Sequence, residues 1–299
     1  MTTGSGKNYV LCRPQGGLSD ILSSVERCYN YAAAWGRTLV VDTHYSDRYF
    51  VSLRGDMTLR YEPGMFAGFE HDVFPPELAG RLDSYGCYYD DAAHLFRDND
   101  SKVPLIFRPD QDHAERVVLF HQMGGGNVGY YALAKMWFAP AVIARLAARA
   151  GAIGEPYDAV HVRHTDYRTD YEAMVPELKA EMERPLFIAS DNAACIAALR
   201  ALVAPRRGLT FSKITGAEDA PMHILDGMAG DAVFENNIEA ICDLVTLAMA
   251  RNLTVRQVEP NVFKNKHSGF SMLAQNLWAN RGFLIANLAK GDGAFGRLM

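Results

Sequence analysis

No stretch of this 299-residue chain approaches the roughly 18 uninterrupted apolar residues of a membrane span, so no transmembrane segment is expected. Cysteine is scarce: Cys12, Cys28, Cys87, Cys195 and Cys242 are scattered, odd in number and without CxxC spacing. Four of them sit in apolar segments, as small buried hydrophobes in a reducing compartment do. Excess positive charge is also missing. Lys+Arg total 30 against Asp+Glu 35, a net charge of -5, which argues against a protein that grips nucleic acid through bulk charge. A pocket can still be locally basic. Met1 to Asn8 are small and polar with no apolar run behind them, so no secretory leader is expected and the location expected is cytoplasmic. The GxGxxG fingerprint is absent, and Gly4-Ser5-Gly6-Lys7 is not a P-loop, since Asn8 follows the lysine and no strand precedes it. There is no repeat of solenoid period and no low-complexity segment.

What is present is ordinary globular composition, 49% hydrophobic and 22% charged with Gly 25 and Pro 13. That excludes a largely disordered, collagen-like or coiled-coil chain, and the length suits two domains or one large α/β unit. The opening reads as strand, glycine turn, helix, strand. Tyr9 to Cys12 is a short apolar run broken by Gly16-Gly17. Leu18, Ile21, Leu22, Val25, Cys28, Tyr29 and Ala32 then recur at helical spacing, Gly36 stops the helix, and Thr38 to Asp42 is a second strand. Thr43 to Asp112, rich in aromatics, Pro, Gly and Asp, reads as irregular loops with a few helical turns. Val117 to Phe120 is another strand. Gly124-Gly125-Gly126 marks either a boundary between halves or a tight turn, and the division adopted is 1–135 and 136–299.

From Ala139 the alternation is cleaner. Helices are expected over Pro140–Ala150, Glu172–Glu183, Ala193–Val203, Asn236–Arg251 and Gly269–Trp278. Strands are expected over Ala159–Val162, Leu186–Ala189, Leu209–Lys213 and Leu253–Val258. Strands alternating with helices of this length imply an α/β fold with parallel sheets covered on both faces.

In open α/β sheets ligands bind beyond the carboxyl ends of the strands, so the residues just after each strand carry most weight. Gly16 and Gly17 let polar ligand groups approach the backbone while the next helix N-terminus favours an anion; alternatively they form a plain turn. In His161-Val162-Arg163-His164-Thr165-Asp166, His161 and Arg163 point the same way along an extended strand. Arg163 suits bidentate phosphate contact, or else pairs with Asp166 at the sheet's rim. The HxRH spacing is not that of a helical zinc pair and no cysteine lies near, so no metal site is expected. Asp191, followed by Asn192, either caps the next helix or offers a carboxylate to a purine such as guanine. Ser268 reads as an N-cap whose free N–H groups can also take phosphate. Asn236, Glu239 and Asp243 read as a solvated helix face. Together these positions suit a nucleotide diphosphate in a cleft between two Rossmann-like units.

Gly16-Gly17-Leu18, HVRHTD (161–166), FIASD (187–191) and SGFSMLA (268–274) resemble, in order, motifs of the fucosyltransferase superfamily. That superfamily includes nodulation fucosyltransferases, α1,6-fucosyltransferases and protein O-fucosyltransferases. The resemblance implies a GT-B-like fold, two Rossmann-like domains facing a cleft, with the nucleotide sugar held mainly by the second. It implies GDP-fucose as co-substrate, a glycan acceptor, inversion at the anomeric carbon, and neither cofactor nor metal. Arg163 would bind the β-phosphate and stabilise the leaving diphosphate. His161 would line the donor site, Asp191 would read guanine, Ser268 would contact phosphate, and Gly16 and Gly17 would let the first loop approach the donor.

Two positions depart from the motifs. Asp20 stands where related GGxxN patterns carry an amide, and His164 replaces a second arginine. The chemistry expected is direct displacement, with Arg163 neutralising the diphosphate and Asp20 as general base; Asp20 also reads as a first-turn acid favoured by the helix dipole. Another nucleotide sugar, or a non-catalytic sugar-nucleotide or glycan-binding role, is the alternative. The acceptor is expected to be a surface polysaccharide or lipid-linked oligosaccharide, and peripheral membrane association stays open.

Overall fold

The computed structural model describes residues 8–14, 17–41, 66–69, 84–121, 129–138, 140–212, 230–260 and 266–291. Within them β1 (Tyr9–Cys12) leads to α1 (Leu18–Trp35) and β2 (Thr38–Val41). Every β1 side chain is buried, as expected for a parallel strand covered on both faces. Leu18, Ile21, Leu22, Val25, Cys28, Tyr31 and Ala32 form the buried face of α1. Gly36 ends that helix in the left-handed region at φ 62°, where a side chain would be strained, and its N–H donates to the Ala32 carbonyl.

The segment expected to be irregular holds regular structure. After β3 (Phe66–Phe69), β4 (Cys87–Asp90) and β5 (Leu95–Asp98) pair as an antiparallel hairpin. Four-residue strands are too short to show a period of two. The hairpin is held by side chains meeting across it, with Arg97 paired to Asp90 at 2.6 Å and the Tyr89 and Phe96 rings edge to face. β6 (Val117–Phe120) then pairs in parallel with β1, giving the order β2-β1-β6. The Gly124 to Gly126 boundary candidate lies outside the described residues.

α2 (Tyr130–Lys135), β7 (Met136–Phe138), which pairs antiparallel with β3, and α3 (Pro140–Ile153) precede the second parallel sheet. Its strands are β8 (Asp158–Val162), β9 (Leu186–Ser190), β10 (Gly208–Leu209) and β11 (Leu253–Val255), ordered β10-β9-β8-β11. Its helices are α4 (Val175–Lys179), α5 (Ala193–Leu202), α6 (Gly230–Met249) and α7 (Gly269–Ala279), and α8 (Arg281–Gly291) follows.

Three expectations need correction. The helix over 172–183 is a 3-10 turn, Glu172–Met174, followed by the short α4, whose first turn holds Pro176. β10 is a two-residue strand at the sheet edge rather than a run to Lys213, so one side of it has no ladder to extend it. β11 ends at Val255, and Val258 makes only an isolated bridge with Thr169.

One apolar cluster joins Val10 and Phe120 of the first sheet, through α1, α3, α6, α7 and α8, to Ala159 and Phe187 of the second. α8 packs on α2 and β7, so the last helix returns to elements that precede β8. In each sheet the order of strands reverses beside a central strand: β1 lies between β2 and β6, and β8 between β9 and β11. Such reversals leave a crevice at the carboxyl ends of the strands.

Candidate functional site

The crevice beside β8 holds the HVRHTD segment. Parallel pairing sets Val162 opposite Ser190, so the next residues on the two strands, Arg163 and Asp191, emerge side by side. Arg163 Nη1 meets Asp191 Oδ2 at 2.9 Å, and its Nη2 and Nε meet Asp166 Oδ1 at 2.6 and 2.8 Å. The pairing with Asp166 at the rim is thus present. Asp191 Oδ1 accepts the His164 N–H at 2.7 Å, and Oδ2 also accepts the Thr165 hydroxyl. Asp191 is buried, and both its oxygens are engaged by the loop it adjoins. Capping of α5 falls to its neighbour Asn192, which accepts the Cys195 N–H at 2.9 Å and donates to the His164 carbonyl at 3.2 Å.

On the other side of β8 stands the start of α7. Ser268 is its N-cap, its hydroxyl accepting the Ser271 N–H at 3.1 Å. The Ser271 hydroxyl lies 2.8 Å from Ser268 Oγ and 2.7 Å from His161 Nδ1, so a buried chain of hydrogen bonds ties the helix start to the strand. Burial, assisted by the Arg163 charge, pushes the His161 pKa down to about 3, which leaves a neutral imidazole. The Phe270 ring lies 5.0 Å from it.

The first half contributes the start of α1. Gly17 is the N-cap in an extended conformation. Asp20, three residues on, folds back so that its carboxylate accepts the Gly17 N–H, half of a capping box. Burial raises the Asp20 pKa while that hydrogen bond opposes the rise. The next contact concerns Gly269: a β-carbon there would collide with the Ser19 hydroxyl as it is placed, so the first turns of α1 and α7 approach closely at a residue without a side chain. Gly16 lies outside the described residues. Arg163, His161, Ser268, Asp191, Gly17 and Asp20 therefore stand around converging strand ends and two converging helix N-termini.

The supposed solvated face of α6 is a correction. Glu239 and Asp243 are buried against Arg149 of α3, with Asp243 at 2.6 Å from the guanidinium, and Ser212 also donates to Asp243. Arg145 pairs with Glu235 at 2.9 Å and with Glu239. The Asn236 side chain lies outside the described residues. The signal was legible: Arg145 and Arg149 repeat at i, i+4 and match Glu235, Glu239 and Asp243 at the same interval. A polar helix face reads as solvated until the opposite charges of another helix are set beside it.

All five cysteines are free and buried. Among the described residues no three His, Cys, Asp or Glu side chains cluster as a metal site, and no helix is long and apolar enough to cross a membrane.

No protein-family model matches the chain, and no curated protein matches it in sequence. Solved structures do. The NodZ α-1,6-fucosyltransferase co-crystallized with GDP superposes with a TM-score of 0.57 at 16% identity, over 90% of this chain and 92% of that one. This chain has the NodZ fold. The fucosyltransferase NodZ from Bradyrhizobium gives 0.57 at 18% identity, covering 90% and 93% of the two chains. NodZ soaked with GDP-fucose gives 0.57 at 17%, covering 91% and 92%. The likeness is one of fold and spans about 90% of this chain. The NodZ fold is α/β with parallel sheets here, and the segments carrying the resemblance gather at its strand ends.

Proposed function

We propose that this protein is a fucosyltransferase that moves fucose from GDP-fucose to a glycan hydroxyl, with inversion and without a metal. The observation that carries the reading is the convergence, at one crevice, of Arg163 and His161 from β8, the capped start of α7 and the start of α1. Three sequence-distant segments meet where an open α/β sheet binds its ligands. The NodZ structures of the same fold hold GDP or were soaked with GDP-fucose, which favours that nucleotide over others. The halves 1–135 and 136–299 are proposed as the two Rossmann-like units of a GT-B arrangement, each with its own parallel sheet. The protein is proposed to act in the cytoplasm in building a surface polysaccharide or lipid-linked oligosaccharide.

In the proposed reaction an acceptor oxygen attacks the anomeric carbon as the bond from that carbon to the β-phosphate oxygen breaks. The electron pair leaves on GDP, where Arg163 and the N–H groups opening α7 oppose the charge. The acceptor proton passes to Asp20, whose raised pKa makes it a better base than an ordinary surface carboxylate. Gly16 and Gly17 let the α1 loop lie close to the donor, Ser268 faces its phosphates, and His161 lines the site as a neutral ring. Asp191 reads guanine and also holds Arg163 in place, since its oxygens take the HVRHTD loop and the guanidinium.

Calorimetric binding of GDP, UDP, CMP and ADP to wild type and Arg163→Ala tests the reading. GDP-selective binding that weakens by roughly 2 kcal/mol in the variant is the expected result for a charge-assisted phosphate contact. Preference for another nucleotide changes the donor. Binding of none removes the donor site.

A further inference from the structure

Arg163 is held between two carboxylates that differ in burial. The Asp191 side chain is 5% exposed, and it is anchored by the His164 N–H and the Thr165 hydroxyl as well as by Nη1. The Asp166 side chain is 32% exposed, belongs to the turn just beyond β8, and takes the other edge of the guanidinium, Nε and Nη2. That edge is a planar fork of two N–H groups, which recognises a carboxylate and a phosphate with the same geometry. A buried partner fixes the cation, and an exposed one covers the face that points to the crevice.

We propose that Asp166 is a built-in competitor of the diphosphate: its carboxylate occupies the Nε/Nη2 edge of Arg163 when no nucleotide is bound, yields that edge to a phosphate, and reclaims it as the nucleoside diphosphate leaves. The inference rests on the reading of Arg163 as the phosphate ligand and adds a determinant of product release. An exposed ion pair contributes little to stability, so it can be exchanged, whereas the Asp191 contact cannot be given up without leaving a buried charge unpaired. Asp166 therefore sets how tightly the product is held, while Asp191 sets where Arg163 points.

The test is calorimetry with GDP and with guanosine, which has the base and ribose but no phosphate. Asp166→Asn keeps an oxygen to accept the Tyr167 N–H, which Asp166 Oδ1 accepts at 3.0 Å, and removes the competing charge. It is expected to bind GDP roughly 5- to 10-fold more tightly than wild type, with guanosine unchanged. Asp166→Glu is expected to stay within about twofold of wild type, since the competing charge is retained. Asp166→Ser repeats the charge removal should the amide disturb the turn. Unchanged or weaker GDP binding in both neutral variants, in a protein whose wild type binds GDP and whose Arg163→Ala binds it more weakly, overturns the inference and makes Asp166 a positioning residue. Equal tightening of GDP and guanosine also overturns it, because the effect would then lie outside the phosphate contact. A wild type that binds no GDP overturns the reading of the donor site, and this inference with it.

Discussion

His161 Nδ1 and Ser271 Oγ lie 2.7 Å apart although 110 residues separate them in the chain. The contact joins the end of a buried strand to the first turn of a helix that returns on its other side. Ser268 completes it, so the N-cap of α7 and the histidine of β8 form one buried polar unit. Its members are in reach of one another only once β11 has been laid beside β8.

The neutral state of His161 predicts a pH dependence. Its pKa is about 3 when folded and near 6.5 when the chain unfolds, so the unfolded state binds the extra proton between those values. The stability contributed by this site is full above about pH 6.5 and is lost as pH falls toward 3. His161→Gln should flatten the acid limb of stability against pH by up to one proton, about 1.4 kcal/mol per pH unit. Urea melts of both proteins from pH 4 to pH 7 read the difference; parallel curves would mean that the ring takes its proton at the same pH folded and unfolded.

Asp191 and Arg163 should be coupled in nucleotide binding. Asp191→Asn and Arg163→Ala are each expected to weaken GDP binding, and the double variant to lose less than the sum of the two. A double-mutant cycle should return a coupling of about 1–3 kcal/mol. Additive losses would show Asp191 acting on the nucleotide without holding the arginine.

The buried charges between α3 and α6 carry a stability prediction. Arg149→Met leaves Asp243 buried without its cation and Glu239 with Arg145 alone, and should cost about 3–5 kcal/mol in urea unfolding. Asp243→Asn should cost less, because burial already raises the pKa of that carboxyl toward its neutral form. Equal costs would mean that the acid charge is needed.

Gly269 tests the approach of the two helices. Gly269→Ala should destabilise the protein by roughly 1–3 kcal/mol and weaken GDP binding, since the new methyl group meets the Ser19 hydroxyl. Ser19→Gly in the same chain should recover both quantities. Failure to recover would place the cost in the backbone of α7 rather than in the contact.

Much of the fold was legible before the structure. β1, α1, β2, β6, α3, β8, β9, α5 and α7 stand within a few residues of where apolar runs and helical spacing put them. Gly36 and Ser268 end and begin their helices as such residues do. The hairpin of β4 and β5 was not legible, because one buried and three half-buried residues per strand show no alternation and the pair is made by cross-strand contacts. α8 (Arg281–Gly291) lies beyond the last helix that the sequence predicts. Of the site, the strand-end positions were legible one by one, but Arg163 and Asp191 had two readings each, and Ser271 had none.

The sequence by itself determined where strands and helices form, which faces are apolar, and which polar residues follow the strands. These are local properties, set by side-chain spacing and backbone preference over a few residues. Only the tertiary structure decided that Glu239 and Asp243 face Arg149 instead of water, that Asp191 closes on Arg163, and that Ser19 meets Gly269. Each of those depends on the order of strands within a sheet and on the packing of helices from distant parts of the chain. The hydrogen bonds and ion pairs that define the site form only after the apolar faces have chosen their partners, and that choice is a property of the whole core.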